Sequence, residues 1–174
     1  EGTVYPGAPY NNEAQEAAAR ITNKEGLRGT LADAMRDADV FIGVSRPGLV
    51  TKEMVRSMKK DPIVFAMANP TPEIMPELAK EAGAAVVGTG RSDYPNQVNN
   101  VLAFPGIFKG VLSVRASAIT DAMKEAASRA IASVISEEEL QPDYVLPDVF
   151  DPRVVDAVVD AVVKEAAASG ADRR

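Results

Sequence analysis

Three short apolar runs in the middle of the chain constrain its fold more than any other feature. They are VFIGV (40–44), IVFAMA (63–68) and AAVVG (84–88), and turn-forming residues follow each of them. Continuous runs of this length, rich in Val, Ile and Phe, are typical of strands that are buried on both faces. Segments with helical features separate the runs, so the sequence predicts strands joined by helical crossovers, as in a parallel sheet.

Start and stop signals for helices support this alternation. Thr30 and Thr51 stand at N-cap positions before LADAM and KEMVR, and Gly83 stands where the helix in PEIMPELAKEAG should end. The residues before Thr30 form a loop-like start that leads into the first of these helices. Together these signals predict an α/β fold, an incomplete Rossmann-like, doubly wound parallel sheet with C-terminal helices.

The last third of the chain has helical periodicity. Residues 120–135 predict a helix with an apolar face that runs from Ala122 to Val134. Asp151, as an N-cap, and Gly170, as a stop, bound a second helix. These helices follow the predicted sheet as a C-terminal extension.

Composition argues against several classes of function. A net charge of −6 and a pI near 4.8 argue against nucleic acid or an anionic membrane as a partner, because both attract basic surfaces. No stretch approaches the roughly 18 uninterrupted apolar residues of a membrane span. With no Cys and no His, the chain lacks disulfides, thiol nucleophiles and imidazole acids or bases, which fits a cytoplasmic protein. No catalytic residue and no metal ligand is predicted in this chain.

Polar residues follow each predicted strand. In open parallel sheets, ligands bind in the crevice outside the carboxyl ends of the strands. Ser45 follows the first strand and Asn69 the second. Each has a structural alternative: a plain strand-to-helix turn for Ser45, and an N-cap or Asx turn for Asn69. Arg91, after the third strand, is placed to bind an anion, unless Asp93 pairs with it.

The loop GRSDYPNQVNN (90–100) contains an unusual number of amides. Asn99 and Asn100 directly precede the apolar VLAFPGIF, where an amide needs a partner or loses solvation. Asparagine also favours turns, so a purely structural role is the alternative. We expect at least one of Asn96, Asn99 and Asn100 to contact a ligand. Neutral amides both donate and accept hydrogen bonds, which suits a carboxylate or a carboxamide.

Four longer segments of the chain resemble the C-terminal, NAD(P)-binding half of bacterial-type malic enzymes. They are ADVFIGVSRPGLVTKEM, DPIVFAMANPTPEIMPELA, GRSDYPNQVNNVLAFPGIFKGVLSVRA and DYVLPDVFDPRVVDAV. The resemblance implies a partial NAD(P)-binding domain over 1–174, with βα units over about 1–115 and a helical extension over about 116–174. It also implies an oxidoreductase that converts malate to pyruvate and CO2 with NAD or NADP and a divalent Mg or Mn ion.

The resemblance also implies roles for particular residues. Asn69 and Asn100 would bind malate, and Ser45, Asn69 and Asn99 would bind the nicotinamide cofactor. The family's catalytic Tyr and Lys, its three metal-binding carboxylates and its glycine fingerprint belong to the part that precedes this chain. No G-x-G-x-x-G follows any predicted strand here. We therefore expect the chain to be inactive alone, to need the missing N-terminal half, and to belong to a homodimer.

Two other interpretations compete with this one. The chain is alternatively a stand-alone α/β binding or interaction domain without catalytic activity, or part of an amino-acid or folate type dehydrogenase with the same layered fold. A half-sheet would also present an open edge, which predicts strand exchange between copies.

Overall fold

The computed structural model describes residues 2–172, and its centre is a three-stranded parallel sheet. The strands are β1 (Val40–Gly43), β2 (Ile63–Ala66) and β3 (Val86–Thr89), in the order β1-β2-β3. Val40 pairs with Ile63, and Ile63 pairs with Val86, so the three strands are in register. The predicted α/β class, with an incomplete Rossmann-like parallel sheet, is confirmed.

Seven α-helices accompany the sheet in the described part of the chain. They are α1 (Glu13–Ile21), α2 (Leu31–Met35), α3 (Lys52–Arg56), α4 (Pro76–Glu81), α5 (Phe104–Ser113), α6 (Asp121–Ala132) and α7 (Pro152–Ala168), and a 3-10 turn spans Asn100–Leu102. The predicted N-caps Thr30, Thr51 and Asp151 each accept a hydrogen bond from the first turn of their helix.

The expected loop-like start is wrong in one respect, because it contains helix α1. Asn12 and Gln15 form a reciprocal capping box there. The alanines that follow have high helix propensity. The polar appearance of this segment reflects a helix that is mostly exposed, with Ala19 as its buried residue.

The two faces of the sheet are covered to different degrees. Phe41, Val64 and Val87 lie side by side on one face and are buried against helices α2, α3 and α4. On the other face, the side chains of Val40 and Ile42 are 46% and 64% exposed. We call this second side the bare face. A strand with one apolar side exposed is unusual, because burial of apolar area is the main stabilising term in folding.

A second apolar cluster joins helices α5, α6 and α7. Gly106 of α5 faces Val158 of α7, and a Cβ atom at Gly106 would lie 2.6 Å from the Val158 side chain. The missing side chain therefore allows the two helices to approach closely. Within the predicted apolar face of α6, Met123 is buried as expected, whereas Ala122 is exposed. Among residues 2–172, no helix combines the length and apolar character that a bilayer crossing requires.

Candidate functional site

The carboxyl ends of the strands meet along one edge, and the predicted site residues lie on the segments that leave it. Ser45 follows β1, and Asn69 follows β2 after two further residues. Gln97 forms a parallel bridge with Thr89 at the end of β3, so the amide loop returns beside the sheet. Asn99 therefore leaves the same edge as Ser45 and Asn69. This is the edge at which open parallel sheets bind ligands.

A buried carboxyl group joins two of these segments. Glu73 is 0% exposed. Its Oε1 accepts a hydrogen bond from the backbone N–H of Ser45 at 2.6 Å, and its Oε2 accepts one from that of Ala68 at 3.0 Å. A Cβ atom on Gly43 would lie 2.6 Å from Glu73 Cδ, so glycine at that position makes room for the carboxyl group. Sequence reasoning missed Glu73, although an acidic residue between a proline and the apolar IM pair was a usable signal.

The side chain of Asn69 lies against Gly90. A Cβ atom at Gly90 would be 3.0 Å from Asn69 Oδ1, so the glycine lets the amide sit over the backbone after β3. Asn69 is exposed, and its amide makes no hydrogen bond to another residue in the 2–172 range. Both its donor and its acceptor are therefore available to a ligand.

Asn99 and Asn100 line a groove with a volume of about 490 Å³. Asn99 caps the 3-10 turn, because its Oδ1 accepts a hydrogen bond from the Val101 N–H at 3.0 Å. Asn100 is exposed, and within the described residues its side chain has no hydrogen-bond partner. Leu102 and Ile107 supply apolar surface to the same groove. The groove thus combines an apolar wall with exposed amide groups.

Asn96, the third amide of the loop, has a structural role. It is 4% exposed, and its Nδ2 donates to the carbonyl oxygens of Val87 at 3.1 Å and Pro142 at 2.9 Å. Its Oδ1 accepts the N–H of Val145 at 2.8 Å. Its backbone φ of +53° lies in the left-handed region, which asparagine tolerates better than most residues. These three bonds tie β3 to the segment that leads into α7.

Asn69 and the pair formed by Asn99 and Asn100 are not joined directly. In the described structure, no hydrogen bond joins Asn69 to Asn99 or Asn100, and Asn69 does not line the groove. A ligand that contacts both would have to bridge them along the carboxyl edge. The ligand roles of Ser45, Asn69, Asn99 and Asn100 accordingly stay predictions.

The charged residues after β3 satisfy one another. Arg91 donates to both carboxylate oxygens of Asp93, at 2.9 and 2.6 Å, and its guanidinium lies over the Tyr94 ring. The Tyr94 hydroxyl donates to Glu77 Oε1 at 2.6 Å. This bond lowers the pKa of Glu77 and raises the pKa of Tyr94. Arg91 is therefore paired structurally, as the alternative interpretation held.

Comparisons with known proteins place this arrangement in a family. A family model described as "Malic enzyme, NAD binding domain" matches residues 7–168. The chain is 60% identical to a bifunctional malic/malolactic enzyme of Bacillus subtilis and 52% identical to an NAD-dependent malic enzyme of Geobacillus stearothermophilus. Each alignment covers 99% of this chain, but only 42% and 36% of the respective relative. The chain thus spans less than half the length of these relatives.

Solved structures agree with the sequence matches. An NAD-dependent malic enzyme from Thermotoga maritima superposes with a TM-score of 0.87 at 48% identity, over 93% of this chain and 42% of that one. The malic enzyme of Entamoeba histolytica gives a TM-score of 0.90 at 41% identity, over 99% of this chain and 37% of that one. The fold and the sequence therefore identify the same group of proteins.

Proposed function

The chain belongs to the family of malic enzyme NAD-binding domains, and we propose that it is the C-terminal part of an enzyme that oxidatively decarboxylates malate to pyruvate and CO2 with NAD or NADP. The observation that carries this proposal is the presence of exposed amides on Asn69 and Asn100, which have no hydrogen-bond partner within residues 2–172, at the edge where parallel sheets bind ligands. The NAD- and NADP-dependent relatives support the choice of cofactor.

The donor set at the carboxyl edge suits a nicotinamide and a small dicarboxylate. We assign Asn69 and Asn100 to the malate carboxylates, and Ser45, Asn69 and Asn99 to the nicotinamide side. Amides do not titrate near pH 7, so the three asparagines bind and orient the ligands and transfer no proton. When bound, the nicotinamide supplies the hydride acceptor. This chain contributes to the rate by holding the malate carbon that loses hydride close to that acceptor.

The bare face supports the presence of a further part of the protein that packs against this chain. Val40, Ile42 and Val44 expose apolar surface along β1, which a stand-alone binding domain would be expected to cover. We propose that the missing N-terminal half covers this face and supplies the proton-transferring groups, and that the assembled enzyme is a homodimer. Chain 1–174 is then a partial cofactor domain, with its helical extension beginning near residue 116.

Metal binding is assigned outside this chain. Residues 2–172 contain no group of three or more acidic side chains placed to hold a metal ion. We propose that the carboxylates for that ion lie in the missing N-terminal half.

The direct test is an assay of the full-length enzyme. Malate is supplied with NAD or with NADP, with and without Mn, and both reduced nucleotide and pyruvate are measured. Asn69→Ala and Asn100→Ala should each lower kcat/KM about 10- to 100-fold, since a hydrogen bond to a charged group contributes roughly 1.5–3 kcal/mol. Asn12→Ala, which removes the cap of α1 far along the chain from the site, is the matched control. Absence of pyruvate with either nucleotide would refute the proposal.

One relative suggests a second reaction. The 60% identical Bacillus subtilis protein is named a malic/malolactic enzyme. Lactate should be measured in the same samples, because malolactic activity would produce lactate without net reduction of the nucleotide. Lactate formation that exceeds pyruvate formation would favour this second function.

A further inference from the structure

We propose that Glu73 is a positioning residue that fixes the backbone of Ser45 and Asn69 relative to each other, an inference that rests on the proposed function. Ser45 and Asn69 leave different strands, yet a single side chain binds the backbone at both places. Through Oε1 it holds Ser45 directly, and through Oε2 it holds Ala68, the residue before Asn69. One carboxyl group therefore bridges the two segments beyond the ends of their strands.

The backbone around Glu73 strengthens this connection. Its carbonyl oxygen accepts the N–H of Val50 at 3.0 Å, and the carbonyl of Pro72 accepts the N–H of Gly48 at 3.2 Å. The loop after β1 is thus held by the Pro72–Glu73 backbone as well as by the carboxyl group. These bonds remain when the side chain is replaced. A substitution at Glu73 therefore releases Ser45 and Ala68 selectively.

The geometry requires two acceptors on one side chain. Glutamine has nearly the same shape as glutamate, but it offers one carbonyl oxygen and one NH2 group. In Glu73→Gln, the NH2 group would face the N–H of either Ser45 or Ala68, donor against donor. Since Glu73 is fully buried, no water is at hand to replace the lost bond. One of the two segments must then move.

Few contacts fix the side chains that the carboxyl group positions, although the amide of Asn69 lies against Gly90. Ser45 and Asn69 are exposed, and within residues 2–172 neither side chain makes a hydrogen bond to another residue. Their location depends on the backbone that carries them. A displacement of about 1 Å at a reacting site can lower a rate about 100-fold. The effect of Glu73 should therefore be larger on catalysis than on folding.

The test compares Glu73→Gln with Val162→Ala in the full-length enzyme. Val162 is fully buried in the helical cluster, far along the chain from the carboxyl edge, so its variant reports the effect of lost stability alone. Both variants are assayed with malate and saturating metal at a temperature well below their Tm. For Glu73→Gln we expect kcat/KM for the dinucleotide to fall on the order of 10- to 100-fold, with a raised KM. Val162→Ala should retain the wild-type KM for the dinucleotide even if its Tm is lowered as much as that of Glu73→Gln.

Each outcome decides a separate question. If the wild-type enzyme is active and Glu73→Gln has the same dinucleotide KM and kcat as Val162→Ala, the positioning role is refuted and the proposed function stands. If the wild-type enzyme forms no product from malate with either nucleotide, the proposed function fails, and the assignment of Glu73 to that site fails with it.

Discussion

Replacing Asn96 with alanine should destabilise the protein more than replacing any other asparagine of the amide loop. The change removes three hydrogen bonds and leaves the Val87 and Pro142 carbonyls and the Val145 N–H without their partner. A buried group left unpaired costs roughly 1–3 kcal/mol. Alanine at a φ of +53° adds about 1 kcal/mol of backbone strain. Allowing for local relaxation, the free energy of unfolding should fall by roughly 3–5 kcal/mol.

Urea-induced unfolding followed by circular dichroism measures this change, since the chain has no Trp to serve as a fluorescent probe. Asn96→Asp is an informative companion, because it keeps the acceptor for Val145 but turns a carboxylate oxygen toward two carbonyls. It should be at least as destabilising as alanine. Asn99→Ala is the control, with one exposed bond at stake and a loss under about 1 kcal/mol. Equal losses at Asn96 and Asn99 would refute the distinction between a structural and a ligand-facing amide.

Three further outcomes are expected from the packing, the titration and the bare face. Gly106→Ala should lower the free energy of unfolding by about 1 kcal/mol in urea titrations, because the steric overlap with Val158 outweighs the gain of about 1 kcal/mol in helix propensity. A stabilised variant would contradict the tight contact between α5 and α7. Tyr94→Phe should raise the pKa of Glu77 toward its ordinary value in an NMR titration. In the wild type, this bond stabilises the fold above the ordinary carboxyl pKa, and that stability is lost as pH falls through the pKa of the folded state, so the variant should lack this contribution. An unchanged pKa would show that the bond does not form. Ile42→Lys should reduce self-association of the isolated chain in sedimentation experiments, whereas an unchanged sedimentation coefficient would mean that copies do not pair through the bare face.

Local signals in the sequence predicted the secondary structure well. Thr51 and Asp151 lie at helix starts in the structure, because an N-cap binds backbone groups two or three residues away. The three apolar runs became neighbouring parallel strands, because short crossovers leave few other arrangements. Helix α1 was missed, although its capping box and the helical spacing of Ala14, Ala17, Ala18 and Ile21 both mark it, because alanines among charged residues resemble a polar loop in overall composition.

Long-range partners explain what sequence reasoning missed at the site. The bonds of Asn96 to Pro142 and Val145 span 46 and 49 residues. The bond between Glu73 and Ser45 spans 28 residues. No pattern within the amide loop distinguishes an asparagine that is fully bonded in this way from one that is free. The loop therefore indicated a cluster of amides, and the three-dimensional contacts divided it into structural and available members.

The most direct measurement is a structure of the full-length enzyme with a bound nicotinamide dinucleotide and an unreactive dicarboxylate of the size of malate. We expect the amides of Asn69 and Asn100 to lie about 2.7–3.2 Å from ligand atoms, with the two ligands side by side at the carboxyl edge of the sheet. Ligands bound elsewhere, with none of these amides in contact, would contradict the proposed roles of both residues.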